Sequence, residues 1–481
     1  MELDDDSAYR ALLSRDRRFD GHFFVAVRTT GIYCRPVCRV RTPRRSSCRF
    51  YATAAAAESG GFRPCLRCRP ERAPGVSLID SPDALSAAAA RMLEAGVGND
   101  GIEPVAQRLG ITSRHLRRIF MQRYGVTPVA YAQTQRLLLA KRLLQDTTLP
   151  LTAVALAAGF GSLRRFNALF LERYGLNPGA LRGGSETEAG AGVSDSFDLH
   201  LDYRPPLDWE SLLGFFRARV VPGVEQIDGG SYRRTVRLRL EPGDELHGWI
   251  EVRHAAERNA LKLTVARALQ RGLPALLVAV RRLFDLDCDP QRVAEVLGPL
   301  AAPRPGLRLP GALDPFEQAT RAVLGQQVTV AAATTLAGRI ATTLGTRVQT
   351  PFPALNRLFP TAAEIAALAP EALAAQRILM TRARCIHGVA TAITTGRLAL
   401  RPEAPVELAL AELRTLPGIG EWTAQYIAMR CLSWPDGFPH TDLFIRRAFP
   451  ELSPAGIIAA AERWRPWRAY ATLHLWKESM P

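Results

Sequence analysis

The sequence predicts a multidomain α+β protein: a small four-cysteine domain, an all-α domain built on a repeated two-helix plan, then an α+β subdomain joined to a second all-α domain. Three observations carry this. With 481 residues, 47% of them hydrophobic, the chain has apolar material for several cores and a length of about three domains. Its pattern changes character at two breaker-rich stretches, ERAPG ending at Gly75 and GGSETEAGAGVSDS over 183–196, where chains pass between domains. Four of its eight cysteines fall in two tight pairs, Cys34 and Cys38 in GIYCRPVC and Cys65 and Cys68 in RPCLRC.

Residues 1–75 mix short β-rich runs such as FFVAVRTTGIY with turns. Four thiolates in a CxxxC and a CxxC read as one tetrahedral Zn2+ site, and a domain this small needs the metal to fold. Spacing alone gives a structural site and does not distinguish one cysteine from another. Cys48, Cys288, Cys385 and Cys431 are scattered like core thiols, and no disulfides are expected. The segment around the quartet is rich in arginine (Arg35, Arg39, Arg41, Arg44, Arg45, Arg49, Arg63, Arg67 and Arg69), a surface suited to phosphate. Net charge of +16 and pI near 10.1 point the same way for the whole chain, toward a polyanion whose counterions are released on binding. No apolar run reaches the ~18 residues that span a bilayer, and the acidic start MELDDD is the reverse of a secretory leader. A cytoplasmic protein with no membrane partner is expected.

Residues 81–182 turn helical. IEPVAQRLGITSRHLRRIF reads as a helix, a turn at Gly110, Ser113 as N-cap, and a second helix displaying Arg117 and Arg118. About 50 residues on, LTAVALAAGFGSLRRFNALF repeats the plan. Here Gly159 and Gly161 fall in the turn, Ser162 caps, and Arg164, Arg165 and Asn167 are displayed. A long helix, YAQTQRLLLAKRLLQD, joins the two helix-turn-helix units. Two units in one chain remove the usual need to dimerise, so a monomer is expected. The acidic stretch 183–196 reads as a flexible linker that lets the modules move independently.

From residue 197 to 305, strand, helix and alternating strands (TVRLRL has period two) read as an α+β subdomain. From 306 to 481 the pattern is helical. LPGIGEWTAQYIAMR places Gly418 and Gly420 in a hairpin that opens a helix, where free N–H groups bind phosphate. Trp422 and Tyr426 lie four apart on one face of that helix, and Asp442, in FPHTDLFIRRAF, starts the next. An aspartate there reads equally as an N-cap and as a carboxylate held for chemistry. Trp422, Tyr426 and Trp476, each taken alone, read as core aromatics.

These motifs resemble known families. AVRTTGIYCRPVCRVR with FYATAAAAESGGFRPCLRC resembles the amino-terminal domain of Ada-type adaptive-response regulators, and the repeated two-helix region resembles the AraC-type DNA-binding domain. The resemblance implies Zn2+ on Cys34, Cys38, Cys65 and Cys68, with Cys34 accepting a methyl group from a DNA methylphosphotriester. It also implies promoter DNA and RNA polymerase as partners. The PCHR-type alkylguanine methyltransferase motif that commonly follows is absent. FEQATRAVLGQQVTV, the glycine hairpin, Asp442 and the ending WRPWRAYATLHLWKE resemble instead the AlkA-type 3-methyladenine DNA glycosylases, back through LDYRPPLDWESLLGFF. That implies a flipped base in an aromatic pocket of Trp422, Tyr426 and Trp476, with Asp442 as the carboxylate and no cofactor. Strand-cleaving members carry a lysine two residues after the hairpin's last glycine; this chain has Trp422, so a monofunctional enzyme leaving an abasic site is implied. Gln327 aligns with the apolar wedge of that family; a glutamine is able to fill the gap, and the neighbouring Val328 is the alternative wedge. The rival reading is a transcription regulator with a structural zinc site and a non-catalytic glycosylase-like part.

Overall fold

The structure is a computed structural model describing residues 4–75, 84–99, 101–182, 195–241 and 243–479; the expected linker lies outside these apart from its last two residues. The chain opens with a helix the acidic start did not suggest, α1 (Asp5–Ser14), its first N–H groups capped by the Asp4 carboxylate. Then come β1 (Phe24–Val27), β2 (Ile32–Cys34), β3 (Cys48–Tyr51), α2 (Ala54–Ser59) and β4 (Arg63–Pro64). The sheet order is β3-β1-β2-β4, with β2 and β4 parallel.

The helical region comprises α3 (Ala84–Glu94), α4 (Glu103–Arg108), α5 (Ser113–Tyr124), α6 (Pro128–Asp146), α7 (Leu151–Ala157) and α8 (Leu163–Tyr174). The repeat is real: α4 and α5 and then α7 and α8 form the two hairpins, and α6 joins them. Thr112, not Ser113, caps α5, accepting from the His115 N–H at 3.2 Å. Ser113 is already helical, and its hydroxyl donates to Glu103 at 3.3 Å. Where two adjacent residues both carry a capping hydroxyl, sequence does not choose between them.

Next come β5 (Ser196–Asp202), α9 (Trp209–Arg217), β6 (Glu225–Asp228), β7 (Ser231–Glu241), β8 (Asp244–Ala255), β9 (Ala260–Ala266), α10 (Leu273–Leu283) and α11 (Pro290–Leu297). The strands form one antiparallel sheet of order β5-β9-β8-β7-β6. Leu212, Leu213 and Phe216 of α9 and Leu273, Leu276 and Val280 of α10 share a buried cluster with its strands. The remainder is helical: α12 (Pro315–Leu324), α13 (Val330–Leu344), α14 (Ala362–Ala366), α15 (Pro370–Ala374), α16 (Met380–Thr394), α17 (Val406–Thr415), α18 (Glu421–Cys431), α19 (Leu443–Ala448), α20 (Pro454–Ala461) and α21 (Arg468–Ser479). Among the described residues no helix is long and apolar enough to cross a membrane.

The expected independence of the modules is overturned. One continuous buried cluster joins Leu137, Val154, Phe166 and Phe170 of the helical region to Phe197, Leu199, Leu213 and Phe284 of the α+β subdomain. The reason lies in α7, whose sequence LTAVALA buries Ala153, Val154, Ala155 and Ala157. That is more apolar face than α8 covers alone, and α7 packs on the 267–272 turn as well. Ion pairs tie the four-cysteine domain to both neighbours: Arg72 to Asp202 at 2.6 Å, and Lys141 to Glu71 at 2.6 Å. Glu58, on α2, is buried against Tyr33, Thr134 and Tyr174, whose hydroxyls all donate to its carboxylate.

Candidate functional site

The four-cysteine centre follows from strand register. Parallel pairing sets Tyr33 opposite Pro64, and the Cys65 N–H donates to the Tyr33 carbonyl at 3.0 Å, so Cys34 and Cys65 leave the sheet side by side. A tight turn closed by Cys38 N–H to Arg35 C=O (3.1 Å) brings Cys38 back to Cys34. The four sulfurs lie within 4.8 Å of one another, three of the residues buried and Cys68 half-buried. A tetrahedral Zn2+ with Zn–S bonds of about 2.3 Å sets its sulfurs roughly 3.8 Å apart, so the cluster fits the ion. Hydrogen bonding with Cys38 raises the Cys34 thiol and hydrogen bonding with Cys34 lowers Cys65. Four crowded sulfurs ionise together only around a cation, and the centre holds one Zn2+. The Arg35 N–H donates to Cys68 Sγ at 3.3 Å, fixing that ligand from outside.

Six of the nine arginines near the centre, Arg39, Arg41, Arg44, Arg49, Arg63 and Arg67, are exposed. The other three do not serve as a free phosphate surface. Arg35 is buried and paired with Asp20 and Asp202; Arg69 pairs with Glu71 (2.9 Å) and Asp146 (2.5 Å); Arg45 pairs with Asp5 and Asp6. A planar guanidinium fork serves buried carboxylates as well as phosphates, and sequence does not separate the two uses. On α5, Arg117 and Arg118 are exposed, as are Arg164 and Arg165 on α8, which Ser162 caps. Asn167 is half-buried and its Oδ1 is buried without a partner, so of the three polar residues expected to be displayed on α8, Arg164 and Arg165 are the exposed ones.

In the helical carboxy-terminal part, α17, residues 416–420 and α18 form the hairpin. Gly418 has φ +91°, and a Cβ there would meet Cys385 at 3.2 Å, so both conformation and space call for glycine. Gly420 occupies the N-cap of α18 without a side-chain cap, leaving N–H groups at that helix start for a ligand. Trp422 and Tyr426 stack with ring centroids 5.1 Å apart and planes 10° from parallel, and Trp476 of α21 sits 6.2 Å from Tyr426, tilted.

Asp442 joins the elements of this pocket. Its Oδ2 accepts from Trp422 Nε1 at 2.8 Å; its Oδ1 accepts from Trp476 Nε1 at 3.0 Å and from the Phe444 N–H at 2.9 Å. The residue is thus the N-cap of α19 and the hub between two tryptophans at once. Beside Trp476 opens a cavity of about 120 Å³, lined in part by Phe215, Arg219 and Lys477. Burial pushes the Tyr426 phenol up, but Arg430, Arg219 and Arg321 more than offset this and hold it below its usual range. Arg430 donates to the Tyr426 hydroxyl at 2.7 Å. Gln327 is exposed with φ +54° at the apex of the loop between α12 and α13, and Val328 beside it is also exposed.

Sequence reasoning missed three neighbours of this site. Arg430 lies four residues beyond Tyr426 on the same helix face, a signal that was available. Phe215, with Arg219 stacked 3.8 Å over its ring, comes from a different subdomain and has no local signature. Gln326 adjoins the aligned wedge position.

A carboxylate bridging two tryptophans beside a glycine hairpin, in one chain with a zinc-cysteine domain and a duplicated helix-turn-helix, defines a DNA-repair protein of the helix-hairpin-helix glycosylase class fused to a regulator. Family models match accordingly: the metal-binding domain of Ada over residues 7–71, a helix-turn-helix domain over 105–184 and the AlkA N-terminal domain over 198–314. The chain is 39% identical over 489 aligned positions, 99% of its own length and 97% of the relative's, to the probable bifunctional transcriptional activator/DNA repair enzyme AlkA of Mycobacterium tuberculosis (strain CDC 1551 / Oshkosh). It is 41% identical to DNA-3-methyladenine glycosylase 2 of Escherichia coli (strain K12), over 57% of this chain and 95% of that protein. It is 36% identical to the bifunctional transcriptional activator/DNA repair enzyme Ada of the same organism, over 39% of this chain and 51% of that one. The chain belongs to the family of bifunctional transcriptional activator/DNA repair enzymes AlkA.

Proposed function

We propose that the chain excises alkylated bases of the 3-methyladenine type from duplex DNA, leaving an abasic site, and separately takes a methyl group from DNA methylphosphotriesters onto Cys34, which strengthens its binding to promoter DNA. The observation that carries the first activity is the Asp442 carboxylate held by both indoles. A base alkylated on a ring nitrogen is a cation and a good leaving group. Flipped out, it stacks against the electron-rich faces of Trp422, Tyr426 and Trp476. As the glycosidic bond breaks, its electron pair goes to the base and the sugar becomes an oxocarbenium ion, which a nearby anion stabilises. Three N–H groups fix Asp442 in place and leave one lone pair of Oδ2, which faces the sugar or the attacking water. α18 carries no lysine, so the chemistry is hydrolysis, without a Schiff base.

At the other end of the chain, the Zn2+ held by Cys34, Cys38, Cys65 and Cys68 keeps sulfur as nucleophilic thiolate at neutral pH. Cys34 Sγ attacks the methyl carbon; the S–C bond forms as the C–O bond breaks, and the electron pair leaves on the phosphate oxygen, restoring a diester. The product thioether is neutral, so the centre loses a negative charge and the domain that carries the exposed Arg39, Arg41 and Arg67 holds the DNA backbone more tightly. Arg117, Arg118, Arg164 and Arg165 then read promoter DNA from the two recognition helices. The cysteine acts once per molecule, whereas the glycosylase turns over.

One incubation tests both activities: alkylated DNA with the full chain, free bases read by chromatography and protein mass by spectrometry. The expected result is repeated base release and a single methyl on Cys34, lost in Cys34→Ala and retained in Cys48→Ala. Equal methyl uptake by the two variants refutes the acceptor, and no base release refutes the glycosylase.

A further inference from the structure

The loop between α12 and α13 is tethered at one residue, Gln326, through both its side chain and its carbonyl, while its apex is exposed. Its ends are set by helix caps: Gly325 ends α12, and Thr329 caps α13 by accepting from the Ala332 N–H at 3.2 Å. Gln327 and Val328 at the apex are exposed, and Gln327 takes a left-handed backbone (φ +54°), uncommon for a non-glycine residue. Between cap and apex stands Gln326. Its Nε2 donates to the Gly418 carbonyl in the hairpin at 2.7 Å and to Thr423 Oγ1 in the first turn of α18 at 2.9 Å. Its own carbonyl accepts from Arg382 Nη2. Arg382 lies in the first turn of α16, where a cation opposes the helix dipole, so its place there answers to the loop and not to its own helix.

We infer that Gln326 is a positioning residue for excision: it fixes the apex loop to the phosphate-gripping hairpin, so that Gln327 enters the gap left by a flipped nucleotide at a set distance from the gripped strand. The inference rests on the glycosylase reading of the same site. The chemistry calls for glutamine in particular. Two acceptors, a carbonyl and a hydroxyl oxygen, converge on one point, and an amide NH2 supplies a proton to each. A glutamate of the same shape turns lone pairs toward both, an asparagine is one methylene short, and an alanine leaves the loop held from one side only. A loop free to drift misplaces the inserted side chain, and the nucleotide falls back into the stack faster than it reacts.

The test separates insertion from pocket chemistry. Excision rates are measured for the full chain and for Gln326→Ala and Gln326→Glu, on one alkylated base presented either paired in a duplex or unpaired in a bulge. 2-Aminopurine fluorescence beside the lesion reports unstacking. Both variants are expected to lose about tenfold or more in kcat/KM on the paired substrate, about 1.4 kcal/mol, together with the fluorescence rise, while staying close to wild type on the bulge. Arg382→Ala, which frees the loop from its other side, shows the same pattern and keeps the inference testable should Gln326→Ala fold poorly. Equal losses on both substrates mean that Gln326 only supports the pocket and overturn the inference, as does wild-type excision by both Gln326 variants. Absence of excision by the wild-type chain on either substrate refutes the glycosylase reading itself.

Discussion

Replacing Asp442 with asparagine removes a charge while keeping the shape of the pocket, and the size of its effect follows from the contacts. Asparagine retains one oxygen, enough to cap α19 through the Phe444 N–H and to accept from the Trp476 indole, both of which use Oδ1. Its NH2 then faces the Trp422 indole N–H, donor against donor, where Oδ2 accepts at 2.8 Å. Losing that one charge-assisted hydrogen bond costs about 2 kcal/mol of stability, which full-length chain at 25 °C tolerates. Catalysis loses more. A carboxylate about 4 Å from a developing unit positive charge, at an effective dielectric constant near 20, contributes about 4 kcal/mol, and removing it slows excision roughly a thousandfold. Ground-state binding carries no such charge on the sugar, so duplex affinity stays within about threefold. The assay is single-turnover release of methylated purine alongside fluorescence anisotropy on the same duplex. Excision by Asp442→Asn within tenfold of wild type, with affinity unchanged, refutes the carboxylate's role and leaves the residue a helix cap.

Other consequences are equally specific. Burial raises the Glu58 carboxyl to about 7 against the hydroxyls of Thr134, Tyr33 and Tyr174 that lower it; the folded state therefore holds a proton the unfolded chain releases near 4.5. Stability from this group is full below that pH and falls by about 3 kcal/mol as pH rises through 7, so Glu58→Gln flattens urea-denaturation midpoints between pH 5 and 8; an unchanged slope refutes the assignment. Cys38→Ser lowers zinc content below one ion per chain, measured by plasma mass spectrometry, and abolishes methyl uptake with base excision preserved. Asp202→Ala leaves Arg72 without its partner at 2.6 Å and Arg35 with one partner fewer, costing about 3 kcal/mol, and limited proteolysis then releases the four-cysteine domain from the rest.

What the sequence made legible was local. Within each cysteine pair the two thiols lie three or four residues apart along the chain, and the strand register that joins Tyr33 to Pro64 brings the two pairs together. The helix-turn-helix repeat was visible for the same reason, since turn glycines and capping hydroxyls act over one helical turn. The aromatic pocket was half legible: Trp422 and Tyr426 share a helix face four residues apart, and Arg430 stands at the next step of that spacing. Trp476, Phe215 and the double use of Asp442 depend on elements distant in the chain: family likeness supplied Trp476 and Asp442 as candidates, while Phe215 and the bonds of Asp442 to both indoles went unseen. Arginine was the least legible residue. The same guanidinium that reads as phosphate-binding in Arg41, which is exposed, is a buried structural fork in Arg35 six residues before it.

The joint between modules shows why linker composition is a poor guide to domain motion. A flexible acidic stretch sets how far two domains are able to separate; whether they do depends on the apolar surface each leaves uncovered. That surface was present in the sequence. LTAVALA offers one polar residue in seven, Thr152; α7 leaves Thr152 and Leu156 exposed and buries Ala153, Val154, Ala155 and Ala157, an apolar face wide enough to be covered on more than one side. The strand at the start of the α+β subdomain has the complementary need, with Phe197, Leu199 and Leu201 alternating along it. Once these faces meet, the ion pairs of buried Arg35 and of half-buried Arg72 and Arg69 hold the four-cysteine domain against both neighbours. Separating the modules therefore means exposing a shared core and unpairing charges together, whatever the composition of the stretch that connects them.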